Sequence, residues 1–261
     1  MFRIFTDQCG NTTALDRLPS RIISLVPSQT ELLFDLGLGH QLVGITRYCT
    51  RPVGAKNQIN IVGGTKNFDI ACIKALHPDL IIGNKEENDR HRIRELQKDY
   101  PVWMSDIFDM KDALAMIRAV GEMTGTQERS SGLSNEIRAS FSKLKKTADL
   151  RTLYLIWKKP WMAAAANTFI DSMLNLIGLR NCLSTLVRYP ELTEGQIRQM
   201  SPDLIMLSSE PFPFREKHIE ELQSICPASQ VILVDGEMFS WYGSRLRFAP
   251  AYFNSLPLLR S

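Results

Sequence analysis

The segment Ile73-Lys-Ala-Leu-His-Pro-Asp-Leu-Ile-Ile82 recurs later in the chain as Ile197-Arg-Gln-Met-Ser-Pro-Asp-Leu-Ile-Met206, at an offset of 124 residues. The same offset carries Asp69 onto Thr193, both able to cap a helix, and Glu86 onto Glu210, both just past an apolar run. Earlier in each half, Ser28 and Glu31 correspond to Thr168 and Asp171, and Leu36-Gly37-Leu38 to Ile177-Gly178-Leu179. A single helix–Pro-Asp–strand unit is a common α/β idiom. Several such segments in the same order restrict the fold to two copies of one α/β lobe.

Within each copy the pattern alternates short apolar runs with helical periods. Arg21-Ile-Ile-Ser-Leu-Val26, Val43-Gly-Ile-Thr46, Leu80-Ile-Ile82 and Pro101-Val-Trp-Met104 are predicted strands of the first half. Ser28-Gln-Thr-Glu31 fits a capping box for the helix after the first strand. Lys85-Glu86-Glu87-Asn88 is predicted to open a helix, where acidic side chains suit the dipole. Leu153-Tyr-Leu-Ile-Trp157, Leu204-Ile-Met-Leu207 and Val231-Ile-Leu-Val234 are predicted strands of the second half, with a closing helix over 248–259. Strands alternating with helices indicate mostly parallel sheets.

Between the copies lies a helical stretch, broken at Thr124-Gly125-Thr126. Beyond the break, Leu133, Ile137, Phe141 and Leu144 form one apolar stripe at helical period. The expected organisation is a first lobe at 1–108 with a hairpin at 2–15, a helical linker at 109–150, and a second lobe at 151–261. The linker contains a long backbone helix at about 127–146, and a ligand cleft is expected between the lobes.

Composition removes several function classes. A net charge of +3 with dispersed Lys and Arg gives no nucleic-acid footprint. No apolar run is long enough to span a membrane. The N-terminus lacks the basic-then-apolar plan of an export signal, which predicts a cytoplasmic chain if Met1 is the native start. Five widely spread cysteines favour reduced thiols. His40, His77, His91 and His218 show no metal-ligand spacing. No phosphate loop, dinucleotide fingerprint or nucleophile elbow occurs in a catalytic context. The chain is therefore expected to be neither an enzyme nor the owner of an intrinsic cofactor, and any metal would arrive inside a ligand.

Ligands of open parallel sheets sit beyond the carboxyl ends of the strands. Aromatic residues predicted there are Tyr48, Trp157, Trp161, Tyr189, Trp241 and Tyr242, with Lys66, Asn84 and Arg245 as polar partners. Together they suit stacking on a flat ligand. The competing role for each aromatic is packing inside its lobe, and for the basic residues a solvated surface.

These features resemble the helical-backbone (class III) substrate-binding proteins of ABC importers, which take cobalamin, iron siderophores or haem. The resemblance rests on Phe5-Thr-Asp7, Arg21-Ile-Ile-Ser-Leu-Val-Pro-Ser-Gln-Thr-Glu-Leu32, Val62-Gly-Gly-Thr65, both Pro-Asp-Leu-Ile segments and Phe239-Ser-Trp-Tyr-Gly243. It is nearest to the cobalamin-binding branch. It implies two α/β lobes bridged by one long helix, and a corrinoid, haem or iron chelate held between them by aromatic side chains. It also implies a monomer of the periplasm or cell envelope, with one acidic residue per lobe docking on a membrane permease. Glu86 and Glu210 stand in that region, with Glu87, Asp89 and Glu216 as alternatives. The Trp157-Lys-Lys-Pro-Trp161 segment is not among the stretches matched to the cobalamin binders. Two other readings stay open: a cytoplasmic cofactor-handling protein or enzyme on the same scaffold, and a protein-binding module using the acidic lobe tips.

Overall fold

The β-branched runs of both halves become central strands of parallel sheets in the computed structural model, which describes residues 2–146 and 149–258. The chain divides into two compact units. The first comprises the chain up to Ile107, Lys111–Ala139 and Tyr242–Arg247; the second comprises Phe108–Met110, Ser140–Trp241 and the chain from Phe248 on.

The first unit opens with an antiparallel hairpin of β1 (Arg3–Thr6) and β2 (Thr12–Leu15). There follow β3 (Ile22–Ser24), α1 (Pro27–Asp35), β4 (Leu42–Ile45), β5 (Asn60–Ile61), α2 (Ile70–Ala75), β6 (Leu80–Asn84), α3 (Arg90–Leu96) and β7 (Val102–Ser105). The strand order is β5-β4-β3-β6-β7, with every pair parallel. Ile81 points into a cluster with Ile23, Phe68 and Ile73, while Leu80 and Ile82 are buried on the other face. A strand covered on both sides reads as a continuous apolar run, as this one does. Helices α4 (Met110–Thr124) and α5 (Gln127–Phe141) then pack chiefly with this unit.

In the second unit come β8 (Arg151–Trp157), β9 (Trp161–Ala163), α6 (Phe169–Leu176), β10 (Arg180–Asn181) and β11 (Glu191–Leu192). They are followed by α7 (Glu194–Met200), β12 (Leu204–Ser208), α8 (Glu216–Ile225), β13 (Gln230–Val234), α9 (Gly236–Ser240) and α10 (Ala249–Ser255). Its sheet runs β11-β9-β8-β12-β13, and β10 also pairs with β8. β9 is antiparallel to both its neighbours; the β8, β10, β12 and β13 pairings are parallel.

The repeat is visible atom by atom. Strand β6 maps onto β12 at the 124-residue offset, and Asp69 and Thr193 are the N-caps of α2 and α7. In each unit the Asp after Pro accepts the backbone N–H of an Arg at the start of the neighbouring strand, Asp79 from Arg21 just before β3 and Asp203 from Arg151, the first residue of β8, both at 2.8 Å. That Arg in turn donates to the last carbonyls of the preceding helix, on Leu76 in one unit and Met200 in the other, at 2.7 and 2.6 Å. His77 and Ser201 occupy the same left-handed corner, with φ of 45° and 46°. The matched chemistry explains why the Pro-Asp motif recurs, and it gives His77 a corner position.

Several sequence expectations need correction. The helix expected at about 127–146 ends at Phe141, because past Ile137 the stripe meets nothing to bury: Phe141 and Leu144 are half-exposed, and 142, 143, 145 and 146 are exposed. Ser28-Gln-Thr-Glu31 is not a capping box. Pro27 supplies a fixed φ at the first turn, the N-cap moves to Val26, and no side chain caps it. Residues 85–88 form a turn rather than a helix start, and α3 begins at Arg90 after the N-cap Asp89. The closing helix is Ala249–Ser255; Leu259 of the predicted segment lies outside the described residues. Residues 242–247 belong to the first unit and 108–110 to the second.

Candidate functional site

At the carboxyl ends of β6 and β7 the first unit is floored by amides and hydroxyls. Asn84, the last residue of β6, is buried. Its Oδ1 accepts the N–H groups of Glu86 and Glu87 at 2.8 and 3.1 Å, and its Nδ2 donates to Ser105 Oγ. Asn88 returns the tie through Oδ1 to the Asn84 N–H, and through Nδ2 to the carbonyls of Leu25 and Thr65. Gln29 Nε2 donates to Ser105 Oγ at 2.6 Å. A buried backbone that leaves its sheet must be satisfied this way. Asn84 therefore shapes the 84–88 turn, with both ends of its amide engaged within the protein.

Two more expected ligand groups are turned inward. The Tyr242 hydroxyl donates to Glu87 Oε1 at 2.7 Å, and burial pushes this phenol well up. Arg245 meets Glu31 in a two-point guanidinium–carboxylate pair, with Nε donating to Oε2 at 2.9 Å and Nη2 to Oε1. Both side chains are largely buried, at 10 % and 14 % exposure. The fork geometry is already satisfied, which removes Arg245 as a ready carboxylate receptor. Lys66 is exposed and donates to the Glu86 carbonyl, and Lys85 pairs with Asp106. Tyr48 remains in water at 57 % exposure, three residues past β4. Gly64 lies against its ring: a Cβ there would stand 3.2 Å from Tyr48 Cε2.

In the second unit Trp157 ends β8 and is 39 % exposed, with Phe212 edge-on at 5.6 Å. Trp161 is buried and stacked on Phe214 at 6.2 Å. Lys158 Nζ lies 5.3 Å from the Trp161 ring centroid and pairs with Glu221. His218 closes this aromatic group, its Nδ1 accepting the Arg215 N–H, and burial pulls its pKa down. Trp161 thus belongs to the core. Tyr189 is half-buried. Trp241 is buried and donates Nε1–H to Glu210 Oε1 at 2.9 Å, and the Ser240 hydroxyl donates to the same oxygen. Burial pushes the Glu210 carboxyl up. Glu210 thus has two donors on one carboxylate oxygen, and Glu216, exposed at the first residue of α8, is an acid that faces water nearby.

The sequence reading missed a recess of about 350 Å³ along α6, lined by polar side chains and Phe108. The available signal was Asp171 and Asn175 at i and i+4 on a helix that is otherwise mostly apolar, with Asn167 just before its N-cap Thr168. A second recess, of about 620 Å³, runs between 10–14 and 97–102 near the amino end of β7, opposite to its carboxyl end. Among the described residues no group of three or more His, Cys, Asp or Glu is placed to hold a metal ion. No helix among them is long and apolar enough to cross a membrane.

Comparison with known proteins locates this geometry. The family model described as periplasmic binding protein matches residues 22–227. A vitamin B12-binding protein of Pectobacterium carotovorum is 26% identical over 248 residues, covering 91% of this chain and 88% of that one. An uncharacterized ABC transporter substrate-binding lipoprotein of Bacillus subtilis is 24% identical, covering 79% and 69%. Among solved structures, a periplasmic heme-binding protein from Roseiflexus in apo form superposes with a TM-score of 0.77 at 20% identity, covering 90% of this chain and 97% of that one.

Proposed function

The chain belongs to the periplasmic binding protein family, whose members bind rather than catalyse, and on that premise we propose a ligand and a delivery route for it. It serves as the substrate-binding protein of an ABC importer. Its ligand is a corrinoid, haem or iron chelate, and any metal enters as part of that ligand. It works in the cell envelope and hands its cargo to a membrane permease.

The observation that carries this reading is the pair of exposed rings at strand ends. Of the six predicted aromatics, Trp161, Trp241 and Tyr242 are buried and Tyr189 is half-buried, whereas Tyr48 at 57 % and Trp157 at 39 % exposure stay in water, one in each unit. Large rings left unburied beside a parallel sheet's carboxyl end suit stacking on a flat conjugated ligand. For docking, Glu86 of the first unit and Glu216 of the second are the acids we assign to the permease. Opposite charge across such a contact sets orientation and encounter rate.

The test is a titration with cobalamin, haem and ferric siderophores, read by tryptophan fluorescence. Saturable quenching by at least one ligand is expected. Tyr48→Ala and Trp157→Ala should each weaken it by about 1–2 kcal/mol, roughly 5–30-fold. Absence of saturable binding to all three classes refutes the reading. Charge reversal at Glu86 and Glu216 should lower transport while leaving ligand affinity intact.

A further inference from the structure

The recess along α6 has a composition that discriminates between ligand groups. Asn167, Thr168, Ser172 and Asn175 offer hydroxyls and carboxamides, while Phe108 and Leu176 supply apolar walls. All lie in the second unit. The one ionisable side chain of the lining is an acid, Asp171. It is held in place: Asn181 Nδ2 donates to Asp171 Oδ1 at 2.7 Å, and Asn175 Nδ2 to Oδ2 at 3.3 Å. Asp171 also heads the helix, its N–H donating to the Thr168 hydroxyl. Arg188 is nearby, but its guanidinium lies over the Phe108 ring, 4.8 Å from the centroid, and is not part of the lining.

The geometry points to this recess as a subsite for the uncharged, hydrogen-bonding part of the transported ligand, carrying carboxamide or hydroxyl groups, and as a barrier to carboxylates. The inference rests on the proposed binding function. Three physical facts support it. Asparagine amides and hydroxyls both donate and accept, so they match a carboxamide or a sugar hydroxyl in either sense. A fixed carboxylate with no cation in the lining repels a second carboxylate brought into the same recess, although the recess is open to solvent and Asn167, Asn175 and Leu176 are exposed. At about 350 Å³ the space is at the low end for a small-molecule site, so it takes the edge of a larger ligand. Phe108 gives that edge an apolar ring to lie against, which fixes orientation without charge. Among the ligand classes proposed, the subsite favours a ring edged with carboxamides over one edged with free carboxylates.

The probes are cyanocobalamin, whose corrin side chains are carboxamides, and the corresponding corrinoid heptacarboxylic acid, with haem as a third ligand. Titrations use the full chain and the variants Asn175→Leu, Ser172→Val and Asn175→Gln, each checked for unchanged thermal unfolding. The expected result is saturable cyanocobalamin binding that is at least tenfold tighter than the heptacarboxylate. Asn175→Leu and Ser172→Val should each weaken cyanocobalamin at least fivefold, leave haem affinity unchanged, and narrow the preference. Asn175→Gln should bind close to the parent, since a carboxamide is restored. Cyanocobalamin binding that is tight but indifferent to all three variants, or a heptacarboxylate bound as well as the amide, overturns the subsite and leaves the binding function standing. Failure of every ligand to bind overturns the binding function, and the subsite with it.

Discussion

Replacing Arg245 separates a structural ion pair from a ligand receptor, because the two roles fail in different assays. The guanidinium is 10 % exposed and its two-point partner Glu31 is 14 % exposed. Arg245→Met removes one charge and leaves the other largely dehydrated, a change that costs about 3–5 kcal/mol when a buried pair is broken from one side. At about 2–4 °C per kcal/mol for a chain of this size, melting should fall by roughly 6–20 °C. Glu31→Leu alone should cost a similar amount. The double variant strands neither charge, so it should lie much closer to the parent than the sum of the singles. A coupling of at least about 2 kcal/mol is expected in the double-mutant cycle. Calorimetry or urea unfolding measures all three, and hydrogen exchange at 242–247 should rise in both singles. A melting point within 2 °C of the parent for Arg245→Met, together with a large loss of ligand affinity, would refute this assignment and restore Arg245 to the ligand.

Four other perturbations test separate parts of the structure. Glu210 has its folded pKa raised by burial, so its charged form is disfavoured in the native state. Stability should therefore fall as pH rises from its ordinary value through the raised one, and Glu210→Gln, which keeps an acceptor for Trp241, should flatten that part of a pH–melting curve. Among the described residues Asp79 accepts three hydrogen bonds, from Ser20 N, Ser20 Oγ and Arg21 N, and Asp203 accepts one from Arg151 N. At about 1 kcal/mol per bond, Asp79→Ala should be the more destabilising of the pair in urea titrations. Gly243→Ala would put a Cβ 2.5 Å from the Ser28 carbonyl oxygen, a backbone atom that cannot swing away, and should cost about 1–3 kcal/mol by thermal melting. Alkylation kinetics should show Cys9 to be sluggish although exposed, since burial of the thiol and the neighbouring Asp7 and Asp106 push its pKa up to about 11.

The two-lobe α/β fold was legible because its signals are local. A Pro-Asp turn, a β-branched run of four or five residues and a helix N-cap each act over one turn of chain. Repetition at a fixed offset turned those weak signals into a strong one. Asp69 and Thr193 were recognisable as caps because a cap needs only its own helix. The Ser28 box failed for the same local reason: Pro27, one residue earlier, also starts a helix and takes precedence. The end of α5 was less legible. A stripe predicts a helix only as far as something lies beneath it, and nothing at residues 142–146 announces that the packing has stopped.

The candidate site was legible as a list of residues but not as an arrangement. Sequence placed aromatics and a few polar groups past the predicted strand ends of each lobe, because parallel sheets place chain turns there. Which of them face solvent depended on partners far away in the chain. Glu31 is 214 residues from Arg245, Glu87 is 155 from Tyr242, and Glu210 is 31 from Trp241. Each contact satisfies a buried polar group that would otherwise be costly, so the fold spends these side chains on itself. Tyr48 and Trp157 stay in water, at 57 % and 39 % exposure. The sequence by itself determined the lobes, their repeat and the family. Only the tertiary structure decided which side chains are free to meet a ligand, since long-range pairing has no period that a sequence can display.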